Sequence, residues 1–248
     1  MLVAALLVSL VAATAPPQQE LLPNLVELPP AYVHVQTTRD RHLLRFASTA
    51  ANAGAGPVIV SSRRASTAAP FTSAQLVSTA GGGTRAYPLT VTLRYTGSGG
   101  HDHFHLLGFE TYELLNTAGS VVLRGHKAGF CLGDRQPLVA HPRAQSRFAS
   151  GCGYHAPTAL SVVQGISVDW SDPYGAELDG QAIDITGLAA GEYVLVNTVD
   201  PKRVFRESRT DDNAASVRIA VTYPHGRGAA PAVAVLRSCR SAACPPPG

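Results

Sequence analysis

The stretch at residues 100–115, GHDHFHLLGFETYELL, carries the strongest structural and chemical pattern of the sequence. Side chains at alternate positions of an extended strand leave on the same face. Read in this way, the stretch places its three histidines on one side and the residues between them on the other. It therefore predicts a β-strand over residues 104–115.

Similar short apolar or alternating runs recur along the rest of the chain and predict further strands. They lie at 32–36, 43–50, 58–61, 89–95, 121–132, 166–170, 183–185, 193–199 and 217–222. Glycine-rich or polar turn signals separate them, at 52–56, 81–83, 97–100 and 172–175. No stretch of twelve residues keeps a capped helical period. The pattern predicts an all-β fold, a β-sandwich-like domain with long connecting loops.

The composition is that of a globular protein. Hydrophobic residues make up 45% and charged residues 15%, and 23 glycines and 18 prolines favour short elements joined by turns. The net charge of +3 is scattered along the chain without an interleaved aromatic run, so the sequence shows no footprint of a nucleic-acid partner.

The ends of the chain differ from its body. Residues 1–15, MLVAALLVSLVAATA, have the apolar run and small-residue end of a secretory signal peptide, with a buried N-terminal segment as the alternative. Residues 16–30 are Pro-rich and predicted to be extended, 31–223 form the predicted folded body, and 224–248 are predicted to be a loose Pro- and Ala-rich tail. No other apolar run approaches membrane length. We therefore expect a secreted protein without a membrane span.

The four cysteines fit an oxidising compartment. Loop closure is easiest within local pairs, which predicts disulfides between Cys131 and Cys152 and between Cys239 and Cys244. Zinc binding is the weaker alternative, because neither pair has the C-x-x-C spacing of a structural site.

The chemical signal of the sequence is the triplet His101, His103 and His105. On a straight strand the outer Cα atoms lie about 13 Å apart at about 3.3 Å per residue. The imidazoles then meet at one ion only by leaning inward, and a bulge at Gly99 and Gly100 would help. Three neutral imidazoles suit copper or zinc. Chance placement on a solvated strand is the alternative.

A cupin-like metal oxygenase is a second interpretation of the same region. Gly97, His103, His105, Glu110 and Gly119 nearly reproduce the first cupin metal motif, in which two histidines and a glutamate bind iron or manganese. Glu110 lies an odd number of residues from both histidines, so a straight strand turns it to the opposite face. That parity disfavours a cupin.

Two further residues stand out. Lys127 lies at an alternate position among apolar neighbours, where an ammonium is costly unless it is paired, neutral, chemically changed or able to reach water. Tyr174 lies in a Pro–Tyr–Gly sequence that predicts a turn, ahead of a run containing Asp179 and Asp184. Taken alone, it would be an ordinary turn tyrosine.

From about residue 35 to about 222 the sequence resembles the catalytic domain of lysyl oxidases. The stretches that carry the resemblance are HDHFHLLGFETYELL, GHKAGFCL, YGAELDGQAIDIT followed by GEYVLVNTVDP, and FRESRTDDNAASVRI. The resemblance implies that the three histidines bind copper. It also implies that Lys127 and Tyr174 join to form lysine tyrosylquinone, the built-in cofactor of that family.

The resemblance further implies an amine oxidase. Such an enzyme converts primary amines, either lysine side chains of proteins or small amines, to aldehydes with dioxygen, releasing hydrogen peroxide and ammonia. Asp179 and Asp184 follow the tyrosine closely and are the candidate bases. A non-catalytic copper- or zinc-binding sandwich is the alternative.

The sequence departs from the animal enzymes in its cysteines. Gly100 and Gly180 stand where those enzymes carry cysteines, whereas Cys131 matches and Cys152 lies near a second family position. Fewer disulfides favour a bacterial-type member and leave open whether the pocket is shaped for collagen or elastin.

Overall fold

The structure is a computed structural model that describes residues 18–97, 101–127, 129–149 and 151–247. The predicted signal peptide at 1–15 and the predicted bulge at Gly99 and Gly100 lie outside these residues. The described chain consists of β-strands and loops and contains no α-helix, which confirms the all-β prediction. None of the described residues form a helix long and apolar enough to cross a membrane. The strands are β1 Glu20–Leu21, β2 Leu25–Glu27, β3 Ala31–Thr38, β4 Arg41–Asn52, β5 Val58–Arg63, β6 Thr72–Thr79, β7 Thr84–Leu89, β8 Thr92–Thr96, β9 His103–Leu107, β10 Glu110–Asn116, β11 Val121–Arg124, β12 Gly129–Phe130, β13 Gln136–Pro137, β14 Ser161–Ile166, β15 Trp170–Tyr174, β16 Ala182–Asp184, β17 Gly191–Val199, β18 Ala214–Thr222 and β19 Ala232–Cys239.

The strands are organised into four antiparallel sheets. The first has the order β1-β6-β5-β14, with β7 also paired to β6, and the second has the order β11-β10-β17-β18-β19. The third is the short sheet β12-β9-β8. In the fourth, β4 lies between β15 and β16 on one edge and β2 and β3 on the other. The third and fourth sheets supply the residues of the candidate site.

One hydrophobic cluster joins all four sheets. It includes Val60 of the first sheet, Leu195 of the second, Leu106 of the third and Phe46 of the fourth, each without solvent exposure. Because every sheet buries a face in the same cluster, their relative positions are fixed by packing. This packing holds the pocket described below at a defined geometry.

Two predicted strands are interrupted. The strand predicted at 104–115 breaks at Gly108, whose φ of 72° is a left-handed conformation that favours glycine, and β9 and β10 belong to different sheets. The strand predicted at 121–132 ends at Arg124 and resumes at Gly129, so Lys127 lies in the connection.

The predicted turn at 172–175 and the predicted strand at 166–170 are both wrong. β14 ends at Ile166, the chain turns at Asp169 with a φ of 65°, and β15 then runs from Trp170 to Tyr174. The carboxylate of Asp169 accepts hydrogen bonds from the Arg143 guanidinium and backbone N–H. These bonds hold the turn inside a run whose composition is typical of a strand.

The tail predicted to be loose contains an ordered strand. β19, within residues 224–248, pairs with β18 over Ser216–Thr222. The structure also contains both predicted disulfides, Cys131–Cys152 and Cys239–Cys244. The domain boundaries themselves stay predictions.

Candidate active site

Three histidine side chains converge at one end of β9. His103 and His105 lie on the strand and His101 precedes it. One nitrogen from each ring lies within 4.8 Å of the others, and the ring centroids are 4.5–5.7 Å apart. The prediction that one strand supplies all three histidines is wrong, because β9 begins at His103 and the chain bends at Asp102, whose φ is 25°.

The local environment favours neutral imidazoles. Burial, followed by the charge of His103, lowers the pKa of His105 to about 4, and burial followed by the charge of His101 lowers the pKa of His103. A hydrogen bond of 3.0 Å joins His105 Nδ1 to Thr96 Oγ1 on β8 and leaves Nε2 for a ligand role. At neutral pH His103 and His105 therefore offer nitrogen lone pairs.

Lys127 brings its amine to the same cavity. Its Nζ lies 4.7 Å from the centroid of the Tyr174 ring and donates a hydrogen bond of 3.3 Å to the backbone carbonyl of Asp179. The side chain is half-buried, and burial lowers the pKa of the amine. Lys127 and His126 alternate in exposure as the sequence pattern predicts, since Lys127 is half-buried and His126 is exposed.

Tyr174, the last residue of β15, is a buried side chain with a fixed hydroxyl. The hydroxyl accepts a hydrogen bond of 2.8 Å from the N–H of Cys131 and donates one of 2.9 Å to the carbonyl of the same residue. Burial, followed by the charge of Asp172, raises the pKa of Tyr174 well above its ordinary value. The phenol is therefore neutral and immobilised beside the lysine amine.

These groups line one cavity of about 440 Å³. Its lining residues are His101, His103, His105, Lys127, Gly129, Cys131, Arg135, Pro173, Tyr174, Glu177, Leu178 and Asp179. Sequence reasoning missed Arg135 and Glu177. Arg135 donates a hydrogen bond of 2.7 Å to the buried carboxylate of Asp172, and no periodicity or motif distinguishes it from other loop arginines.

The two candidate bases differ in position. Asp179 lies at the edge of the cavity, with 84% of its side chain exposed and its Oδ2 3.9 Å from His101 Nε2. Asp184 is not among the lining residues. The Asp184 carboxylate accepts hydrogen bonds from the N–H and the hydroxyl of Thr186. These bonds, chiefly the one from the hydroxyl, lower the pKa of Asp184. The structure therefore brings Asp179 to the site and leaves Asp184 outside it.

Glu110 does not join the histidines. Within the described chain the cluster of close potential ligands comprises the three histidines alone. Glu110 is instead buried on β10, where Tyr112 donates a hydrogen bond of 2.9 Å to its carboxylate. Glu27 lies nearby, and burial followed by the charge of Glu110 raises the pKa of Glu27. The ligand set of the cupin-like alternative is thus not assembled.

The fold and cavity define an all-β protein with a three-histidine cluster beside a lysine–tyrosine pair. A family model described as lysyl oxidase matches residues 71–227, more than half of the chain, and includes every residue of that cluster and pair. The chain therefore belongs to the lysyl oxidase family, as its motifs predict.

Individual relatives match about half of the chain. Human protein-lysine 6-oxidase is 36% identical over 129 residues, which cover 50% of this chain and 28% of the human protein. The pig protein-lysine 6-oxidase is 34% identical over 128 residues, covering 50% of this chain and 46% of its own length. Human lysyl oxidase homolog 1 is 36% identical over 124 residues, covering 49% of this chain and 20% of its own length. The matched region is thus less than half of each of these relatives.

Proposed function

We propose that this chain is a copper-dependent amine oxidase that converts primary amines, including lysine side chains of proteins, to aldehydes. The overall reaction consumes one amine, one dioxygen and one water, and yields an aldehyde, ammonia and hydrogen peroxide. A single observation carries the proposal. The lysine amine lies 4.7 Å from the centre of a buried tyrosine ring in the cavity that also holds three converging histidines.

The residues present fit both groups that the proposal requires. His101, His103 and His105 would hold the copper ion through neutral imidazoles, a donor set that suits copper. Lys127 and Tyr174 would form lysine tyrosylquinone. When present, copper supplies the dioxygen chemistry that oxidises a phenol ring, and the quinone supplies an electrophilic carbonyl and an electron sink.

The chain's own residues prepare the lysine–tyrosine pair. An amine bonds to a ring carbon only through a free lone pair, and burial increases the neutral fraction of Lys127 by lowering its pKa. The Cys131 backbone holds the Tyr174 hydroxyl from two sides. The ring is therefore fixed, and formation of the crosslink would require the longer lysine side chain to approach it.

Asp179 is the group we assign as proton acceptor from the substrate. It lies at the cavity edge, and its backbone carbonyl already contacts the Lys127 amine. A carboxylate in this place also attracts a cationic amine toward the cavity. Glu177, a second exposed carboxylate lining the cavity, adds to that attraction.

We further propose that the protein is exported from the cell. Two disulfides within the described chain are typical of proteins of oxidising compartments. Residues 1–15 have the composition of a signal peptide.

Dioxygen and primary amines are the partners that the reaction requires.

The test is a comparison of intact mass and visible absorption of the purified protein before and after copper loading in air. We expect a quinone band, a phenylhydrazine adduct on a peptide that joins Lys127 to Tyr174, and amine-dependent release of hydrogen peroxide. Lys127→Arg and Tyr174→Phe are the matched controls and should lack all three. Bound copper with two unmodified peptides would overturn the oxidase and leave the alternative of a metal-binding sandwich.

A further inference from the structure

The bend at Asp102 explains how one segment supplies three converging histidines. Side chains two apart on a straight strand follow Cα atoms about 6.6 Å apart, at about 3.3 Å per residue. The ligand nitrogens here lie within 4.8 Å of one another, although His101 and His105 are four residues apart. Asp102 supplies the curvature through its φ of 25°, a value that non-glycine residues rarely adopt.

Contacts on both sides hold Asp102 in this conformation. Its Oδ1 accepts a hydrogen bond from the hydroxyl of Tyr95, and its Oδ2 pairs with Nδ1 of His155. The backbone carbonyl of Asp102 accepts a further bond of 2.9 Å from the N–H of His155. The ring of Tyr154 packs against His155 with the centroids 3.8 Å apart.

The residues that contact Asp102 are themselves anchored. Tyr95 lies on β8 and is the cross-strand neighbour of Phe104 on β9. His155 follows Cys152, which is disulfide-bonded to Cys131 and whose carbonyl accepts a bond of 2.8 Å from the N–H of Phe104. The carboxylate of Asp102 is thus attached to the neighbouring strand on one side and to the disulfide-linked loop on the other.

We propose that Asp102 is a positioning residue for the metal site, held by Tyr95 and His155 so that His101 reaches the ligand position beside His103 and His105. The role rests on the proposed metal site and does not depend on quinone formation or turnover. Asp102 belongs neither to the histidine cluster nor to the lining of the cavity, and it acts through the backbone that it holds.

The test measures Cu(II) affinity and the electron paramagnetic resonance spectrum of the metal-free protein titrated with Cu(II). Asp102→Ala removes the side-chain contacts with both Tyr95 and His155, and His155→Ala removes the second of them alone. We expect each variant to weaken Cu(II) binding about tenfold or more. Their Cu(II) spectra should resemble that of His101→Ala, because the ligand lost is the same. The double variant should be no weaker than Asp102→Ala, since that substitution already removes the side-chain contact with His155.

Two other substitutions at the same position separate the side chain from the backbone. Asp102→Asn accepts the bond from Tyr95 through its amide oxygen and can donate through its amide nitrogen to Nδ1 of His155. It also tolerates a positive φ and should retain near-wild-type affinity. Asp102→Gly adopts the conformation without strain but has no side chain to hold, and should lose affinity as Asp102→Ala does. Wild-type affinity in Asp102→Gly would overturn the positioning role.

Asp169→Ala is the matched control for folding. Asp169 is also a non-glycine residue with positive φ whose carboxylate is held, by Arg143, but it does not line the cavity. It should lose stability and keep its Cu(II) affinity and spectrum. An unchanged spectrum in Asp102→Ala and His155→Ala would also overturn the inference. A wild-type protein that binds Cu(II) but forms no quinone would overturn the proposed oxidase and leave the positioning result intact.

Discussion

At the scale of single residues, Gly180 allows Lys127 to pack closely against the loop that follows Tyr174. Its φ is 78°, and a Cβ placed there would lie 3.0 Å from Lys127 Cβ. Other L-residues in the left-handed region cost about 1–2 kcal/mol. We expect Gly180→Ala to lose about that much stability and to slow the Lys127–Tyr174 crosslink several-fold, measured by thermal unfolding and by quinone absorbance over time.

Gly187→Ala isolates the backbone cost, since Gly187 has a φ of 76° and no atom within 4 Å of an added Cβ. It should lose similar stability and form the crosslink at the wild-type rate. Equal crosslinking rates in the two variants would show that contact with Lys127 has no effect on its approach to Tyr174.

The residues of the site were predictable to different degrees. Alternation identified the histidine triplet, because ligand residues of one kind repeat at the period of a strand. Lys127 and Tyr174 required their family motifs, since each alone has an ordinary structural explanation. Arg135 came only from the structure, because its role depends on Asp172, which is distant in sequence.

At the scale of elements, strands β2 and β10 bury two carboxyl groups beside each other. Burial raises the pKa of Glu110 to about 7, and burial followed by the charge of Glu110 raises that of Glu27 well above 4.5. Neither Glu27 Oε2 nor Glu110 Oε1 has a hydrogen-bond partner in the described chain. A carboxyl with a raised folded-state pKa binds more protons when folded, so its contribution to stability falls as pH rises from the unfolded value through the folded value.

Glu27→Gln tests this pair. The amide carries no charge and can donate to Glu110, so we expect the free energy of unfolding at about pH 8 to rise. Near pH 4 the carboxyls are mostly protonated in both the folded and the unfolded state. The gain should therefore fall there to about the uncertainty of a denaturant titration. A variant less stable than the wild type at every pH would mean that Glu27 is stabilised as a carboxylate.

The two disulfides connect different elements and should differ in effect. Cys131–Cys152 joins positions 21 residues apart, and Cys239–Cys244 joins positions 5 apart. The chain-entropy relation gives a loss of about 3 kcal/mol for the first and about 2 kcal/mol for the second. The first also connects the Tyr174 hydroxyl, through Cys131, to the histidine strand, through Cys152.

Replacing each pair with alanine therefore separates stability from function. We expect the Cys131/Cys152 variant to lose stability, quinone yield and copper affinity together. The Cys239/Cys244 variant should lose stability alone, as measured by denaturant unfolding, absorbance and Cu(II) titration. Full quinone yield without Cys131 and Cys152 would show that packing alone holds the two halves of the site.

At the scale of the whole molecule, the sequence predicted the all-β class and many strands but neither the sheet arrangement nor the tail. Strands such as β6, TSAQLVST, are rich in small polar residues and lack the continuous apolar run of β17. β19, AVAVLRSC, is mostly exposed, and its short apolar run lies in the Pro- and Ala-rich segment predicted to be loose. It becomes a strand because β18 offers a long free edge, a long-range interaction that local patterns do not encode.

Deletion of residues 224–248 tests the contribution of that strand. The family match ends at residue 227, yet β19 covers β18, and the Cys239–Cys244 bridge packs against Val194 and Val196. Losing the bridge and part of this cluster should cost about 3 kcal/mol or more. That corresponds to a fall in Tm of about 6–12 °C for a domain of this size.

The exposed edge of β18 should also promote association of the truncated chain, seen as a larger species in light scattering. Removing only residues 245–248 keeps β19 and the bridge, so that control should remain close to the wild type in Tm and size. A chain ending at Tyr223 with wild-type stability would show that β19 only lies against a domain complete without it. The predicted loss instead makes the C-terminal strand part of the folded unit that supports the active site.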